Sequence, residues 1–357
     1  MTLRVHMTGS EWFEERAGGL NRYFQDLFEE SQRAAQFEVT ASAFGRAPSG
    51  GDSWGPVGAS LAERVRKSRE SVAGPLDVLD RHFVPYGPSR RRSGAHAVVT
   101  HFQGPWFAES RLAGQSRWRT DLKRIWEARR HHEADRAVVL CAEFGRILSR
   151  ELAFPEENVR VIPPGVNLDR FAYREPAALD RPLVLCVRRL ERRMGIDVLI
   201  TAWAEVLDRF PDAVLAIVGG GSEEAVLRAQ VDGLGLGGSV RMHGRIDDES
   251  LLGLYRDAAL TVVPTRDLEG FGLIALESLA VGRPVIVTRV GGLPDAVAGL
   301  DESLIVEPED PSALAERVAQ ALGGQVPSAA ACRAHAERFS WAAAVGAHAA
   351  LYRELVS

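Results

Sequence analysis

Short apolar runs alternate with amphipathic stretches of helical spacing from the start of the chain. The opening LRVHMTG is an apolar strand that ends in a turn, and GGLNRYFQDLFEESQR after it has the spacing of a helix. FEVTASAF reads as a second strand. This strand–helix–strand order predicts a parallel sheet with crossover helices. Residues 45–60, GRAPSGGDSWGPVGAS, are rich in Gly, Ser and Pro and read as a flexible loop. SVAGPLDVLDRHFV, AHAVVTHF and DRAVVLCA look like further strands or strand ends, with a basic helix, SRWRTDLKRIWEARRHHEA, between the last two.

A second series begins near residue 181. RPLVLCVRR, AVLAIVGGG, SVRMHG, LTVVPT and RPVIVTRV read as strands, and GIDVLITAWAEVLDRFP, EEAVLRAQVDGLG, DESLLGLYRDA and GLIALESLAVG as the helices between them. The Pro-rich segment 161–180, VIPPGVNLDRFAYREPAALD, joins the two series and is the expected linker. The expected fold is therefore α/β, with two doubly wound Rossmann-like domains. Residues 1–170 form the first, 171–338 the second, and a last helix over 339–357 packs back on the first. Open parallel sheets bind ligands outside the carboxyl ends of their strands. With two such domains, those ends are expected to face one cleft.

Composition adds limits. The chain has 357 residues, enough for two domains, with 46% hydrophobic and 25% charged residues. The first 170 residues carry 25 Lys+Arg against 22 Asp+Glu, and the remainder 18 against 26. A net charge of -5 argues against a general nucleic-acid binder. Lys67 and Lys123 are the only lysines, so a phosphate-binding cation is expected to be arginine. Cys141, Cys186 and Cys332 form no metal-ligand spacing and fit a reducing compartment. No signal pattern and no apolar run of about 20 residues appears, so a cytoplasmic location is expected.

The candidate chemistry sits at strand ends. Gly18-Gly19, Gly219-Gly220-Gly221 and the pair Gly270 and Gly272 around Phe271 each precede a helix. Such glycines either make a tight turn or let a phosphate or sugar hydroxyl approach the backbone and the helix N-terminus. The segment VRRLERRMGID places Arg188, Arg189, Arg192 and Arg193 between a strand and a helix. That is the place for an anionic ligand, or for an ordinary solvated loop. Glu269 and Glu277 flank the turn EGFGLIALE. Carboxylates repel phosphate but accept hydrogen bonds from sugar or ribose hydroxyls, while backbone N–H groups near Gly272 and Leu273 suit phosphate. Either glutamate alone also fits an ordinary helix start. No GxxxxGK[ST] occurs, which excludes a P-loop, and no GxGxxG follows the first strand.

Taken together, these segments resemble the retaining GT-B glycosyltransferases, group 1 (family 4). VIPPGVNLDRF resembles that family's domain junction, EGFGLIALESLAVGRPVIVTRVGGLPDAV its nucleotide-sugar signature, and FSWAAAVGAHAALYREL its last helix. GGLNRYFQDL, THFQGPWFAES and ADRAVVLCAEF resemble it more weakly. The resemblance implies Arg189 on the donor diphosphate, Glu269 near the donor sugar and Glu277 on the ribose hydroxyls. It implies Gly19, with Gly18 beside it, near the phosphates, and the backbone of Gly244, Arg245 and Ile246 facing the base. Gly220, Phe271, Gly272 and Leu273 complete the expected nucleotide-sugar site. Two positions depart from the family: Met194 stands where a lysine is usual, with Arg193 as a neighbouring substitute, and Gln103 stands where many members have histidine. His101, on the same strand face as Gln103, is a candidate active-site residue or a structural histidine.

The implied activity is transfer of a sugar from a nucleotide-diphosphate donor to an unidentified acceptor, with retention. The acceptor is a polysaccharide, a lipid-linked glycan or a small natural product. No cofactor is expected, and with no DxD motif no metal. A catalytically degenerate nucleotide-sugar-binding subunit and a same-fold epimerase are the alternatives; the absence of a lysine from the C-terminal half disfavours a phosphorylase. Arg117, Trp118, Arg119, Lys123, Arg124 and Trp126, helped by Arg90, Arg91 and Arg92, read either as a weak peripheral contact with anionic lipid or as a solvated helix face with its tryptophans in the core.

Overall fold

The computed structural model describes residues 2–16, 18–70, 75–112, 114–175 and 181–357. The chain divides into two compact units, Met1–Gly165 with Trp341–Ser357, and Val166–Ser340. The first crossing lies within the Pro-rich segment 161–180, of which residues 176–180 lie outside the described residues, as do residues 71–74 of the expected strand SVAGPLDVLDRHFV.

The first unit begins with strand β1 (Arg4–Glu11), helix α1 (Gly19–Ala34) and β2 (Glu38–Phe44). It continues through β3 (Gly51–Ser53), α2 (Leu61–Glu70), β4 (Val78–Arg81), α3 (Arg90–Ser93) and β5 (Ala97–Phe102). Helices α4 (Trp106–Leu112) and α5 (Arg117–His131), then β6 (Arg136–Val139), α6 (Ala142–Leu152) and β7 (Val159–Val161), complete its sheet. The strands run parallel in the order β3-β2-β1-β4-β5-β6-β7. Helix α1 buries Tyr23, Phe24, Leu27, Phe28 and Ser31, the stripe that its spacing predicts. The stretch 45–60 is not wholly loop. Gly51–Ser53 pairs with Ala41–Ala43 as an edge strand, anchored where the Trp12 indole donates to the Asp52 carbonyl at 3.1 Å.

The second unit runs β8 (Leu183–Val187), α7 (Ile196–Arg209), β9 (Val214–Val218), α8 (Glu224–Gly233), β10 (Val240–Gly244) and α9 (Asp248–Asp257). Then come β11 (Leu260–Val263), α10 (Leu273–Ala280), β12 (Val285–Thr288), α11 (Leu293–Val297), β13 (Ile305–Val306), α12 (Pro311–Leu322) and α13 (Ala329–Ala336). Its parallel sheet has the order β10-β9-β8-β11-β12-β13. The central strands are largely buried and read as apolar runs, broken only by Thr261 of β11, whose hydroxyl accepts from Ser278 at 2.8 Å. Trp203 and Leu199 of α7 pack with Leu314 and Val318 of α12 in its core. Both units are Rossmann-like α/β folds.

The final helix, α14 (Trp341–Val356), belongs to the first unit. Its Tyr352 ring meets Phe37 edge-on, and the Tyr352 hydroxyl donates to Asp80 at 2.5 Å. Asp80 also meets the ring nitrogens of His101 at 3.1 Å and His82 at 3.5 Å. The buried Asp80 carboxylate is held well below the usual carboxylate range by these two histidines, against the cost of its burial.

Burial has the opposite sense for the histidines of this unit. It lowers His6, His101 and His348 from 6.5 to about 4, and His131 to about 3. Above about pH 6.5 both the folded and unfolded chains leave these rings neutral. Below that, down to about pH 4, the unfolded chain takes up protons that the folded chain excludes, so stability falls as pH falls. Glu127, which accepts from the N–H groups of Trp106 and Phe107, is pushed up to about 7 by burial and acts in the other direction. It is one group against six, since burial also lowers His82 and His335. The urea midpoint is expected to drop steadily from about pH 7 to about pH 5. A flat profile would show that these histidines are not held neutral.

Candidate active site

Four loops gather at the carboxyl edge of the second sheet, after β8, β9, β11 and β12. The strand order reverses between β8 and β11, so the loops that follow these two strands part there. They are pressed together through backbone. Gly219 (φ +137) lies so close to its neighbour that a Cβ would stand 1.9 Å from the Arg188 carbonyl oxygen. Gly291 (φ +54) meets the Glu269 carbonyl oxygen at the same 1.9 Å. Any side chain at either position would drive the loops apart. Leu268, just before Glu269, is held in the left-handed region (φ 54), which costs a leucine about 1–3 kcal/mol.

Arg188 follows directly from β8, its N–H donating to the Val218 carbonyl at 2.9 Å. The side chain is buried. Its Nη2 donates to Thr265 Oγ1 at 2.6 Å, meets the Met194 sulfur at 2.9 Å and forms an ion pair with Glu269. Its Nε is buried without a hydrogen-bond partner. The cation at the centre of these loops is thus Arg188, which the sequence reading left among four arginines. Arg189 is exposed beside it. Arg193 has a different contact from the one expected: it is half-buried, and its Nη1 donates to the Leu268 carbonyl at 2.7 Å, fastening the strained turn.

Glu277 lies on α10 and is buried, and its Oε2 accepts from the Tyr255 hydroxyl at 2.7 Å. That bond fixes the direction of the carboxylate. Phe271 is a correction. Its ring packs edge-on against Phe339 at 5.5 Å and is 2% exposed, so the side chain belongs to the core and its backbone alone can face a ligand. Gly272 caps α10, whose first turn, from half-buried Leu273 onward, holds no acidic residue and receives no side-chain cap. Gly220 accepts at its carbonyl from the Leu190 N–H, and a Cβ there would meet only Arg245 Nε at 3.4 Å. Gly244 closes β10 and accepts from the Gly219 N–H at 2.8 Å; Arg245 is exposed and Ile246 half-buried after it.

In the first unit, Gly18 and Gly19 open α1, and a Cβ on either would meet nothing within 4 Å. The fold itself therefore leaves space at this helix start. His101 is the second correction. It is 2% exposed, bonded to Asp80, stacked on His82 at 3.7 Å and flanked by Tyr23 and His348. It is packed as a core histidine. Asp80, His82 and His101 also bring ligand atoms within 4.8 Å of one another. His101 Nε2 is already engaged by the Asp80 carboxylate. Gln103, half-buried beyond the end of β5, carries a buried Nε2 without a partner.

Residues 169–339 match the model of the glycosyl transferases group 1, and residues 17–170 that of glycosyltransferase family 4. A D-inositol 3-phosphate glycosyltransferase of Segniliparus rotundus is 30% identical over 94% of this chain and 84% of its own. The chain belongs to the group 1 glycosyltransferases. A D-inositol 3-phosphate glycosyltransferase of Corynebacterium jeikeium is 38% identical over 55% of this chain; the match spans only about half, 52%, of that relative's length. Among solved structures, sucrose-phosphate synthase from Thermosynechococcus elongatus shares the fold, with a TM-score of 0.80, 24% identity and 99% of each chain covered. The fold of this glycosyltransferase is thus GT-B.

Thr265 and Tyr255 escaped the sequence reading. Thr265 ends LTVVPT as an ordinary strand residue, and Tyr255 lies on a helix remote in sequence from the glutamate it orients. The site of this glycosyltransferase depends on the contact at Gly291. Gly291→Ala is expected to destabilise the chain by about 1–3 kcal/mol, since the displaced atom is backbone. Denaturant unfolding beside Gly324→Ala, where a Cβ meets nothing within 4 Å, checks it; equal losses would mean that backbone strain alone, and not the contact, sets the cost.

Proposed function

We propose that this glycosyltransferase moves a sugar from a nucleotide-diphosphate donor to an acceptor hydroxyl, with retention at the anomeric carbon. The observation that carries the reading is the arrangement at the carboxyl edge of β8 and β11. There a buried guanidinium, the Glu269 carboxylate paired with it and an uncapped helix start lie in one loop cluster, and Glu277 follows on that same helix, oriented by Tyr255. The guanidinium and N–H groups suit a diphosphate leaving group; the carboxylates suit sugar and ribose hydroxyls.

As the bond to the anomeric carbon breaks, negative charge grows on the diphosphate and positive charge on the sugar. Arginines and the N–H groups at the start of α10 stabilise the first. Glu269 faces the second and holds the sugar hydroxyls. The acceptor attacks on the face that the diphosphate leaves, and a donor phosphate oxygen takes the acceptor proton. Arg189 is assigned to phosphate, and the segment Gly244–Ile246 to the base. No metal enters this scheme. The names of the relatives make a phosphorylated cyclitol the first acceptor to test. Met194 favours one other reading, a nucleotide-sugar-binding subunit without turnover, and product formation separates the two.

Calorimetry with UDP, GDP, ADP and dTDP is the test. One nucleotide is expected to bind, and Glu277→Ala and Arg189→Ala to weaken it at least about tenfold, the loss of one hydrogen bond to a charged group. Absence of binding by all four would remove the donor-site reading.

We further propose that α5 meets anionic lipid. Trp118, Leu122 and Ile125 recur at helical spacing and are 62%, 58% and 50% exposed, so Trp118 is not a core residue. Trp126 is half-buried, meeting Trp106 at 5.9 Å. Arg117, Arg119, Arg124 and Arg129 are exposed on the same helix, which gives the face the charge to match acidic head groups. Arg90 is paired with Asp135. Among the described residues no helix is long and apolar enough to cross a membrane. Sedimentation with phosphatidylserine-containing vesicles is expected to pull down the native chain and much less of Trp118→Ser/Leu122→Ser. Equal recovery of both would rule the face out.

A further inference from the structure

The sequence poses an electrostatic problem that the side chains answer. In the resemblance from which the donor site was read, a lysine stands at position 194. Here it is Met194, 4% exposed and part of the apolar core. The charge has not been lost from that place. Arg188 Nη2 lies 2.9 Å from the Met194 sulfur, so a cation reaches the end of the position-194 side chain from a different backbone position.

Burying a guanidinium is costly unless its N–H groups are paired. Three contacts, to Thr265, Met194 and Glu269, all fall on Nη2, and Nε is buried with no partner. A guanidinium is a planar fork of five donors suited to holding two anions at once, which an ammonium on a flexible stem does less well. One side of this fork is closed by Glu269; the other ends in an unanswered donor at the carboxyl edge of β8. Gly219 fixes the carbonyl of the same residue, so the root of the side chain is as constrained as its tip.

We propose that Arg188 bridges the donor diphosphate and Glu269, with Nη2 kept on the carboxylate and the rest of the fork turned to phosphate oxygens. It replaces in one side chain the cation that position 194 does not carry. Glu269 thereby acquires a fixed direction, set by Arg188 and by the left-handed Leu268 before it. This inference rests on the donor-site reading above and names the residue that neutralises the diphosphate within it.

The test compares each nucleoside diphosphate, UDP, GDP, ADP and dTDP, with its parent nucleoside by calorimetry on the full chain. Variants are Arg188→Gly, Arg188→Gln and the double change Arg188→Gly/Met194→Lys. Arg188→Gly is expected to weaken the diphosphate about ten- to hundredfold while the nucleoside stays within about twofold. The double change is expected to recover most of that loss, because it returns a cation to the same place. Arg188→Gln keeps a donor for Thr265 and carries the same comparison if the glycine variant does not fold. Equal weakening of nucleoside and diphosphate would reduce Arg188 to a structural role, and so would no weakening or no recovery in the double variant. If the native chain binds none of the diphosphates, the donor-site reading itself falls; if it binds one and Arg188 is silent, only this inference does.

Discussion

A single buried cation organises the loop cluster of the second unit. Arg188 leaves the end of β8 and ties the β11–α10 loop through Thr265 and Glu269. Neither loop has room to adjust, because Gly219 and Gly291 press backbone against the carbonyls of Arg188 and Glu269 themselves. The ion pair is therefore set by two backbone contacts rather than by two flexible side chains meeting in solvent. That difference matters energetically. An exposed pair contributes little, whereas a pair with its backbone roots fixed pays almost no ordering cost when a ligand arrives.

The same loops show how a parallel sheet separates structural from ligand-directed work. Below the carboxyl edge, β8, β9 and β11 are buried and apolar apart from Thr261, and their contribution is packing. Above it, polar groups are held in unusual ways: a left-handed leucine, an arginine with an unanswered donor, and a glutamate aimed by a tyrosine from α9. The left-handed Leu268 lies on the loop beside the point where the strand order reverses, and strain of that kind persists only where surrounding structure over-determines it.

Much of the fold was legible because strand and helix periods differ and the chain alternates them cleanly. The strands RPLVLCV, AVLAIV and LTVV are apolar runs bounded by Gly, Pro or charge, and each became a central strand. Edge elements were less visible. Gly51–Ser53 has no strand-like composition and pairs only because β2 offers an open edge. Val159–Val161 is too short for a period to register. Within the site, Glu269 and Glu277 stood out by spacing and the resemblance pointed to Arg189, but that Arg188 is the one that turns inward onto Glu269 could not be read from the string. Neighbouring residues at a strand end leave in different directions, and which one turns inward depends on the loop from β11, far away in sequence.

His101 and Phe271 carry the complementary lesson. Both lie in motif-like segments, and both have side chains in the core. For Phe271 the reason is local: the turn before α10 sends the ring inward, and Phe339 receives it. For His101 the reason is Asp80. A fully buried carboxylate needs donors from every direction, and Tyr352 alone, arriving from α14, leaves it under-satisfied. His101 adds a second hydrogen bond and the His82 ring lies 3.5 Å away, so the three elements β4, β5 and α14 meet at this carboxylate. The histidine that looked like chemistry is thus the means by which the last helix of the chain is fastened to its first unit. The arginine that the sequence showed as one of four charges is the residue on which the loops after β8 and β11 close.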